Sequence, residues 1–411
     1  MPMSHFFISG FGGSAFVFAV ALLQFAPFIS SVDLNAAFTN PFLERGRLVN
    51  STPLRQKYST RSSFFPTPTT KFALDAQGIE DHSTSLPLAI ERKYYEHDGY
   101  KISYLHKPAS PGHESDPPLV LVHPVGIGIS SWFWTKFLEE WVGGEAYAPD
   151  MIGCGLENGS FPWNPDTKGM SFPLGWVNAL EKLIQTEVAS PDSGNGWTRQ
   201  GFLSWPKAPR SCVVVAQGGM TPVAVLLAAR NPCSTGNVQV VGVSHLVLTS
   251  PQTWEDMVVP VPQFELANNY DFLRSQVLGK LAFSLLESRW AVRFFSDLFL
   301  FSGKCDEDWV DLTTRSEATQ PEARQPIMAF NAGLLNHRSY EEELRTLEQP
   351  TLVMSGLGDK RVEDRLQYRE EMRSCGLESI RGTNVMPWES PTELCAAISA
   401  FLKREHYEVN F

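Results

Sequence analysis

The sequence predicts an α/β fold: a mostly parallel, doubly wound sheet with a helical cap inserted after the sixth strand. First, short apolar strand patterns alternate with helical patterns from about residue 100 to about residue 250. Second, the alternation stops over residues 253–348, where apolar side chains recur at helical spacing. Third, 411 residues of which 43% are hydrophobic and 19% charged can bury one large core or two modest ones.

The overall charge and the absence of several motifs narrow the classes of partner. The net charge is −11, and the chain has no basic block and no glycine-rich phosphate loop. These features argue against nucleic acid and against an anionic membrane surface as the main partner. The sequence has no metal-ligand spacing and no dinucleotide-binding pattern, so we expect no metal and no cofactor. A neutral or lipophilic ligand is compatible with this composition.

Residues 1–85 are predicted to be a targeting leader in two parts. The signal-like part, 1–31, contains no charged residue, whereas the transit-like part, 32–85, is rich in Ser and Thr and carries six basic residues. This arrangement resembles the two-part plastid leaders of algae with complex plastids, which implies a plastid location. One alternative stays open, because residues 6–30 are apolar and long enough to act as an uncleaved membrane anchor.

Each predicted element of the core has its own pattern. The strands are short apolar runs that end at glycines or polar turns: an early, partly exposed strand at 100–104, then strands at 119–122, 146–150, 213–217, 243–248, 351–356 and 378–380. The helices carry apolar side chains at helical spacing, at 130–141, 176–188, 362–373 and 391–403. The cap, 253–348, therefore interrupts a core that is formed by 86–252 and 349–411.

The turn after the predicted strand at 213–217, which we call the elbow (residues 216–220), carries the most information about function. A buried β-branched run stops at two glycines and continues at helical spacing. In the G-x-S-x-G pattern such a strand–turn–helix unit holds a nucleophilic serine, and the next residue donates its N–H to the oxyanion. Gly218 stands in the place of that serine, and Gly219 follows it. Glycine has no side chain with which to attack a carbonyl.

Four segments, in the same order along the chain, resemble those of the α/β-hydrolase superfamily. They are the oxyanion-type loop His123-Pro124-Val125-Gly126, the D-x-x-G-x-G turn at 150–155, the elbow, and the segment P-T-L-V-x-x-G-x-x-D at 350–359. The resemblance extends from about Tyr100 to Lys403. It implies a catalytic centre at the carboxyl edge of the sheet and a lipophilic pocket beneath the cap.

The resemblance also implies where a catalytic triad would lie. Asp359 fits the position of the acid, and Gly218 occupies that of the nucleophile. Aligning Glu389 and Pro391 with the end of the family's G-H-x-x-x-x-E-x-P stretch places Asn384 at the base. Asparagine cannot act as a base near neutral pH. The chain thus resembles a degenerate member that lacks nucleophile and base, and serine-hydrolase activity is not expected.

Structural roles are expected for several of these residues. His123 is predicted to be a hydrogen-bonded structural histidine, and Gly218 to relax a strained turn. Without a histidine partner, Asp359 is expected to bind loop N–H groups, Asn384 or Lys360. The remaining candidates are Gly219 as an oxyanion-type donor and three residues predicted to line the pocket: Gln217, Met220 and Trp388.

Two interpretations of the function stay open. The first is a non-catalytic pseudo-hydrolase of the plastid that binds a lipophilic small molecule under the cap, such as a pigment, an isoprenoid or an acyl lipid, or a protein partner such as a plastid complex. The second is an active hydrolase of an ester, lipid or pigment with an unconventional nucleophile or base. His337 of the cap is one such base, if it folds over the pocket.

Overall fold

The computed structural model describes residues 90–154, 173–189, 211–232, 242–315 and 321–408. The predicted leader, residues 1–85, lies outside these ranges. The described part of the chain contains an eight-stranded sheet. Its strands are β1 (Glu91–His97), β2 (Tyr100–Lys107), β3 (Leu119–Val122), β4 (Ala146–Pro149), β5 (Cys212–Gln217), β6 (Val243–Thr249), β7 (Thr351–Gly356) and β8 (Cys375–Ile380).

The sheet is mostly parallel, which confirms the predicted fold class. Its strand order is β1-β2-β4-β3-β5-β6-β7-β8. Strand β2 runs antiparallel to both β1 and β4, whereas every other pairing is parallel. One detail of the prediction is wrong, because β2 is almost wholly buried rather than partly exposed. Its two faces pack against different apolar clusters, one of which includes Ile102 and the other Leu105.

The sheet separates these two apolar clusters, and its central strands contribute to both. In β5, Val214 and Ala216 belong to one cluster, whereas Val213 and Val215 belong to the other. Successive side chains of a strand point to opposite faces, so a strand covered by helices on both sides is apolar throughout. This explains the continuous apolar run that leads to the elbow, where every residue of β5 is buried.

Thirteen α-helices occur in the described ranges. In chain order they are α1 (Thr135–Glu140), α2 (Leu174–Leu183), α3 (Thr221–Arg230), α4 (Trp254–Val258), α5 (Gln263–Arg274), α6 (Leu278–Leu286), α7 (Arg289–Phe295), α8 (Glu307–Thr313), α9 (Arg324–Asn331), α10 (Glu341–Thr346), α11 (Leu366–Glu371), α12 (Met386–Glu389) and α13 (Pro391–Glu408). Helices α4 to α10 lie between β6 and β7, which confirms a helical cap after the sixth strand. Within these ranges no helix combines the length and the apolarity needed to cross a membrane.

The cap contacts the core closely at the loop that follows β3. Gly128 has a φ of +63°, and a Cβ at this position would overlap the carbonyl oxygen of Thr313 at the end of α8. Both conditions require glycine. Next to this contact, the Trp132 ring packs edge-on against Trp309 of α8 with 5.4 Å between centroids. The Trp132 Nε1–H also donates to the Gly128 carbonyl at 2.7 Å.

The Gly128 contact generates a stability prediction. We expect Gly128→Ala to lower the free energy of unfolding by about 3 kcal/mol or more, because it adds backbone strain and an overlap with the cap. Gly112→Ala is the matched control, since Gly112 also has a positive φ, +85°, but nothing lies within 4 Å of its Cβ position. Gly112→Ala should lower the free energy of unfolding by only about 1 kcal/mol. Urea denaturation measures both losses, and equal losses would contradict close packing at Gly128.

Candidate functional site

The elbow keeps the backbone geometry of a nucleophile turn without the nucleophile. Gly218 has a φ of +58° and lies between the end of β5 and the start of α3. Any other residue would be strained in this left-handed conformation, whereas glycine adopts it at little cost. The Thr221 hydroxyl donates to the Gly218 carbonyl at 2.8 Å and closes the turn. The geometry is consistent with the expected role of Gly218 in relaxing the turn.

The cap lies directly on the elbow. A Cβ at Gly219 would overlap the ring of Phe330, which belongs to cap helix α9. Met220 is fully buried and shares an apolar cluster with Phe330 and Ile327. The structure therefore places Met220 in the core rather than in the wall of a pocket, because the cap packs over its side chain.

Asp359 follows β7 and is bound to two arginines. Its carboxylate accepts a hydrogen bond from the Arg361 backbone N–H at 2.9 Å and pairs with Arg365 Nη1 at 2.5 Å. The side chains of Asp359 and Arg365 are only 7% and 6% exposed. Arg365 Nε in turn donates to the Pro251 carbonyl at 2.6 Å. The acid position of the triad therefore ties the loop after β7 to the segment after β6.

Asn384 connects the core to the cap. Its side-chain Nδ2 donates to the Phe299 carbonyl at 2.6 Å, and its backbone N–H donates to the Leu300 carbonyl at 3.1 Å. Its own carbonyl accepts from Gln217 Nε2 at 2.5 Å. Gln217 Oε1 then accepts from the Thr249 hydroxyl at 2.7 Å. The position of the family's base is thus held by hydrogen bonds on both sides.

The histidines near the site have structural partners. His123 is fully buried, and its Nε2 accepts the Met151 backbone N–H at 2.9 Å. Its Nδ1 therefore carries the proton and donates to the Pro124 carbonyl at 2.8 Å. Burial lowers the pKa of His123, because it disfavours the charged ring. His337 is exposed on the cap, with its Nδ1 2.9 Å from the Leu334 carbonyl, and does not line the cavity described next.

A cavity of about 90 Å³ lies between the core and the cap. Five of the predicted site residues line it, and the structure thus brings them together: Pro124, Val125, Gly126, Gln217 and Asn384. On the cap side, the cavity is lined by apolar side chains from α6, α7 and α9. Asp359 does not line it.

Trp388 does not line the cavity but lies next to it. Its ring packs edge-on against Trp132 and Trp309, with centroid distances of 5.3 and 5.5 Å. Its Nε1–H points to the Asp306 carboxylate, 3.1 Å from Oδ2, and Lys136 Nζ lies 4.2 Å from its ring centroid. Trp388 was predicted to line the pocket. The turn into α12 instead directs it into the aromatic cluster beside the cavity.

The polar wall of the cavity consists entirely of uncharged groups. Among the described residues that line it, the polar side chains are those of Gln217, Ser296, Thr313, Asn331 and Asn384, and none is ionisable. The first and last were predicted, whereas the three cap residues were missed. One signal did exist for Asn331, because it follows Ile327 by four positions and both lie on the buried face of α9.

The Arg365–Asp359 pair generates a second stability prediction. We expect Arg365→Met to lower the free energy of unfolding by about 3–5 kcal/mol, because it leaves the Asp359 carboxylate buried without its partner. Arg373→Met is the control, since Arg373 and Glu348 are 3.7 Å apart and 60% and 78% exposed. An exposed pair of this kind is worth less than about 1 kcal/mol. Chemical denaturation of both variants measures the difference, and a mild effect at Arg365 would mean that Asp359 is not held by this ion pair.

Solved structures share the fold with low sequence identity. The haloalkane dehalogenase DbeA from Bradyrhizobium elkani USDA94 is 15% identical, with a TM-score of 0.52 over 78% of this chain and 100% of that one. Cfl2 from Burkholderia cenocepacia is 14% identical, with a TM-score of 0.56 over 76% and 96% of the two chains. The thioesterase domain from the curacin biosynthetic pathway is 17% identical, with a TM-score of 0.50 over 75% and 99%.

The sequence comparison assigns the family. None of the curated proteins matches the chain significantly in sequence. Residues 119–398, however, match the model of the alpha/beta hydrolase family. This match includes the oxyanion-type loop, the elbow and the positions of the triad. The chain therefore belongs to the alpha/beta hydrolase family.

Proposed function

We propose that this protein is a non-catalytic member of its family that holds a small neutral molecule beneath its cap. One observation carries the proposal: no described residue that lines the cavity has an ionisable side chain. Nucleophilic hydrolysis requires a base to accept the proton of the nucleophile, and an acid to orient that base. The cavity offers neither group to a molecule bound inside it.

The contacts of the triad positions support the loss of catalysis. Gly218 offers no side chain, and Asn384 uses its amide to bind the Phe299 carbonyl of the cap. Asp359 is paired with Arg365 and bound to the backbone of its own loop. Asp359 therefore takes part in a connection between loops, and Asn384 connects the core to the cap. Restoring the catalytic geometry would require several of these bonds to break.

The size of the cavity bears on the class of ligand. An engineered cavity of about 150 Å³ binds benzene. A cavity of about 90 Å³ accordingly admits a molecule of about four non-hydrogen atoms. A pigment or an acyl lipid is larger than this volume. The proposal therefore names a small neutral molecule, and it favours this ligand over a plastid protein complex because the cavity lies between core and cap and has the volume of a small molecule.

An activity assay tests the proposal. We expect the purified protein to turn over p-nitrophenyl acetate no faster than buffer, and to remain unlabelled by a fluorophosphonate probe that labels an active serine hydrolase in parallel. Turnover above buffer would support the alternative, an active hydrolase of an ester, lipid or pigment. The cap hydroxyls in the cavity, Ser296 and Thr313, would then be the first candidates, and Ser296→Ala or Thr313→Val would abolish the rate.

A triad-restoring variant provides the complementary control. Gly218→Ser combined with Asn384→His supplies a nucleophile and a base at the family positions. We expect this variant to stay inactive as well, because Arg365 still binds Asp359 and the new histidine loses the link to the cap. A gain of hydrolysis would show that the loss of activity is confined to these two positions.

We further propose that the protein is delivered to a plastid, on the basis of the leader alone. A fluorescent protein fused to residues 1–85 should collect inside the plastid of an alga with a complex plastid. A fusion to residues 32–85 is the matched control and should stay in the cytosol, because it lacks the signal-like part. Retention of the longer fusion in a secretory membrane would instead support an anchor at residues 6–30.

A further inference from the structure

Most of the wall of the cavity between core and cap is apolar. Val125 and Val385 contribute to it from the core, and Leu286, Val292 and Ile327 contribute from the cap. All five of these residues are buried in the folded chain. A molecule inside the cavity therefore contacts mainly carbon atoms.

Three of the five polar side chains in this wall already form hydrogen bonds within the protein. Ser296 Oγ accepts from Trp309 Nε1 at 2.9 Å. As described above, the side chains of Gln217 and Asn384 bond to the core and to the cap. If one of these groups turned toward a ligand, the protein would lose the bond that the group now makes, and its former partner would be left unpaired.

The other two polar side chains each have an oxygen that a ligand in the cavity cannot reach. Thr313 Oγ1 and Asn331 Oδ1 have no hydrogen-bond partner within the described part of the chain, and both have almost no accessible surface. A hydroxyl or a charge that enters the cavity loses its hydrogen bonds to water, and neither oxygen replaces them. The polar part of the wall therefore does little to stabilise a polar ligand.

We propose that the cavity binds a small hydrocarbon of about four carbon atoms. Such a molecule removes its own apolar surface and that of the wall from water, and it leaves no polar group of its own unpaired. The cavity volume of about 90 Å³ sets the size of the ligand. The inference rests on the proposed function, since it names the ligand class of the same site.

Water competes weakly for a cavity with such a wall. A buried water typically makes about three hydrogen bonds to polar groups that lack other partners. Few such groups face this cavity, because most of its wall is apolar. Replacing a poorly ordered water by an apolar group raises the affinity of a ligand.

The test compares isobutane with isopropanol, in which a hydroxyl replaces one methyl group of isobutane. The two probes therefore differ in polarity rather than in size. Binding is followed by NMR titration of the Val292 and Ile327 methyl groups, with isobutane supplied as a pressurised gas. We expect saturable binding of isobutane that is at least about tenfold tighter than that of isopropanol, because the hydroxyl has to give up its hydrogen bonds to water.

Two variants that fill the cavity test where the probe binds. Val292→Phe adds a ring from the cap side, and Ile127→Phe adds one from the loop after β3. Each should abolish isobutane binding, and urea denaturation checks that each variant is folded. Because the two positions lie on different segments, the failure of one variant to fold leaves the other to decide. Val277→Phe is the matched control and should bind isobutane like the wild type, since Val277 is 74% exposed and does not line the cavity.

A third variant changes the polarity of the wall and keeps its shape. Val292→Thr replaces a methyl group by a hydroxyl, and we expect it to lower isobutane affinity by about threefold to tenfold. Val277→Thr makes the same change at an exposed position and should leave the affinity unchanged. An unaltered affinity in Val292→Thr would mean that space alone decides binding, which would contradict a preference for apolar ligands.

The outcomes separate this inference from the proposed function. Isopropanol binding as tightly as isobutane would overturn the hydrocarbon inference, while a neutral ligand beneath the cap would still stand. Saturable binding of neither probe would overturn the inference and also remove the support for a small ligand. Isobutane binding that persists in both cavity-filling variants would place the probe elsewhere and overturn the inference as well. Ester hydrolysis in the activity assay would overturn the non-catalytic function and leave the affinities measured here unaffected.

Discussion

The hydrogen bond from the Gln217 side chain to the Asn384 carbonyl is the interaction on which the site depends. It joins the end of β5 to the loop after β8, and Asn384 then extends the connection to the cap at Phe299 and Leu300. In a catalytic member of the family these positions would adjoin a nucleophile and a base. Here they form a continuous chain of hydrogen bonds from the Thr249 hydroxyl to the cap. These positions join the core to the cap.

At the elbow, a left-handed turn is combined with glycine at the position of the family's nucleophile. The left-handed conformation of Gly218 provides the abrupt turn between β5 and α3. The cap packs directly onto this turn, where the Phe330 ring lies against Gly219. A side chain at this point would have to displace the ring. The packing of the cap therefore favours glycine at position 219.

Local sequence patterns predict most of the fold, because the spacing of apolar residues that distinguishes a strand from a helix can be recognised within a short segment. The run at Leu119–Val122 and the helical segment after β6 both lie where they were expected. The site was less predictable, since its contacts join distant parts of the chain. The pairing of Asp359 with Arg365 and the placing of Thr313 and Asn331 in the cavity depend on how loops and cap pack. Met220 and Trp388 were predicted to line the pocket but do not line this cavity, because the packing of cap and loops also decides where their side chains lie.

The asparagine at position 384 also sets how the cap responds to its surroundings. A histidine at this position, as in catalytic relatives, gains a proton between about pH 5 and 8 and changes its hydrogen bonding as it does so. The amide of Asn384 has no such transition, and its bond to the Phe299 carbonyl needs no change in charge. This hydrogen bond to the cap therefore keeps its donor and its acceptor between about pH 5 and 8.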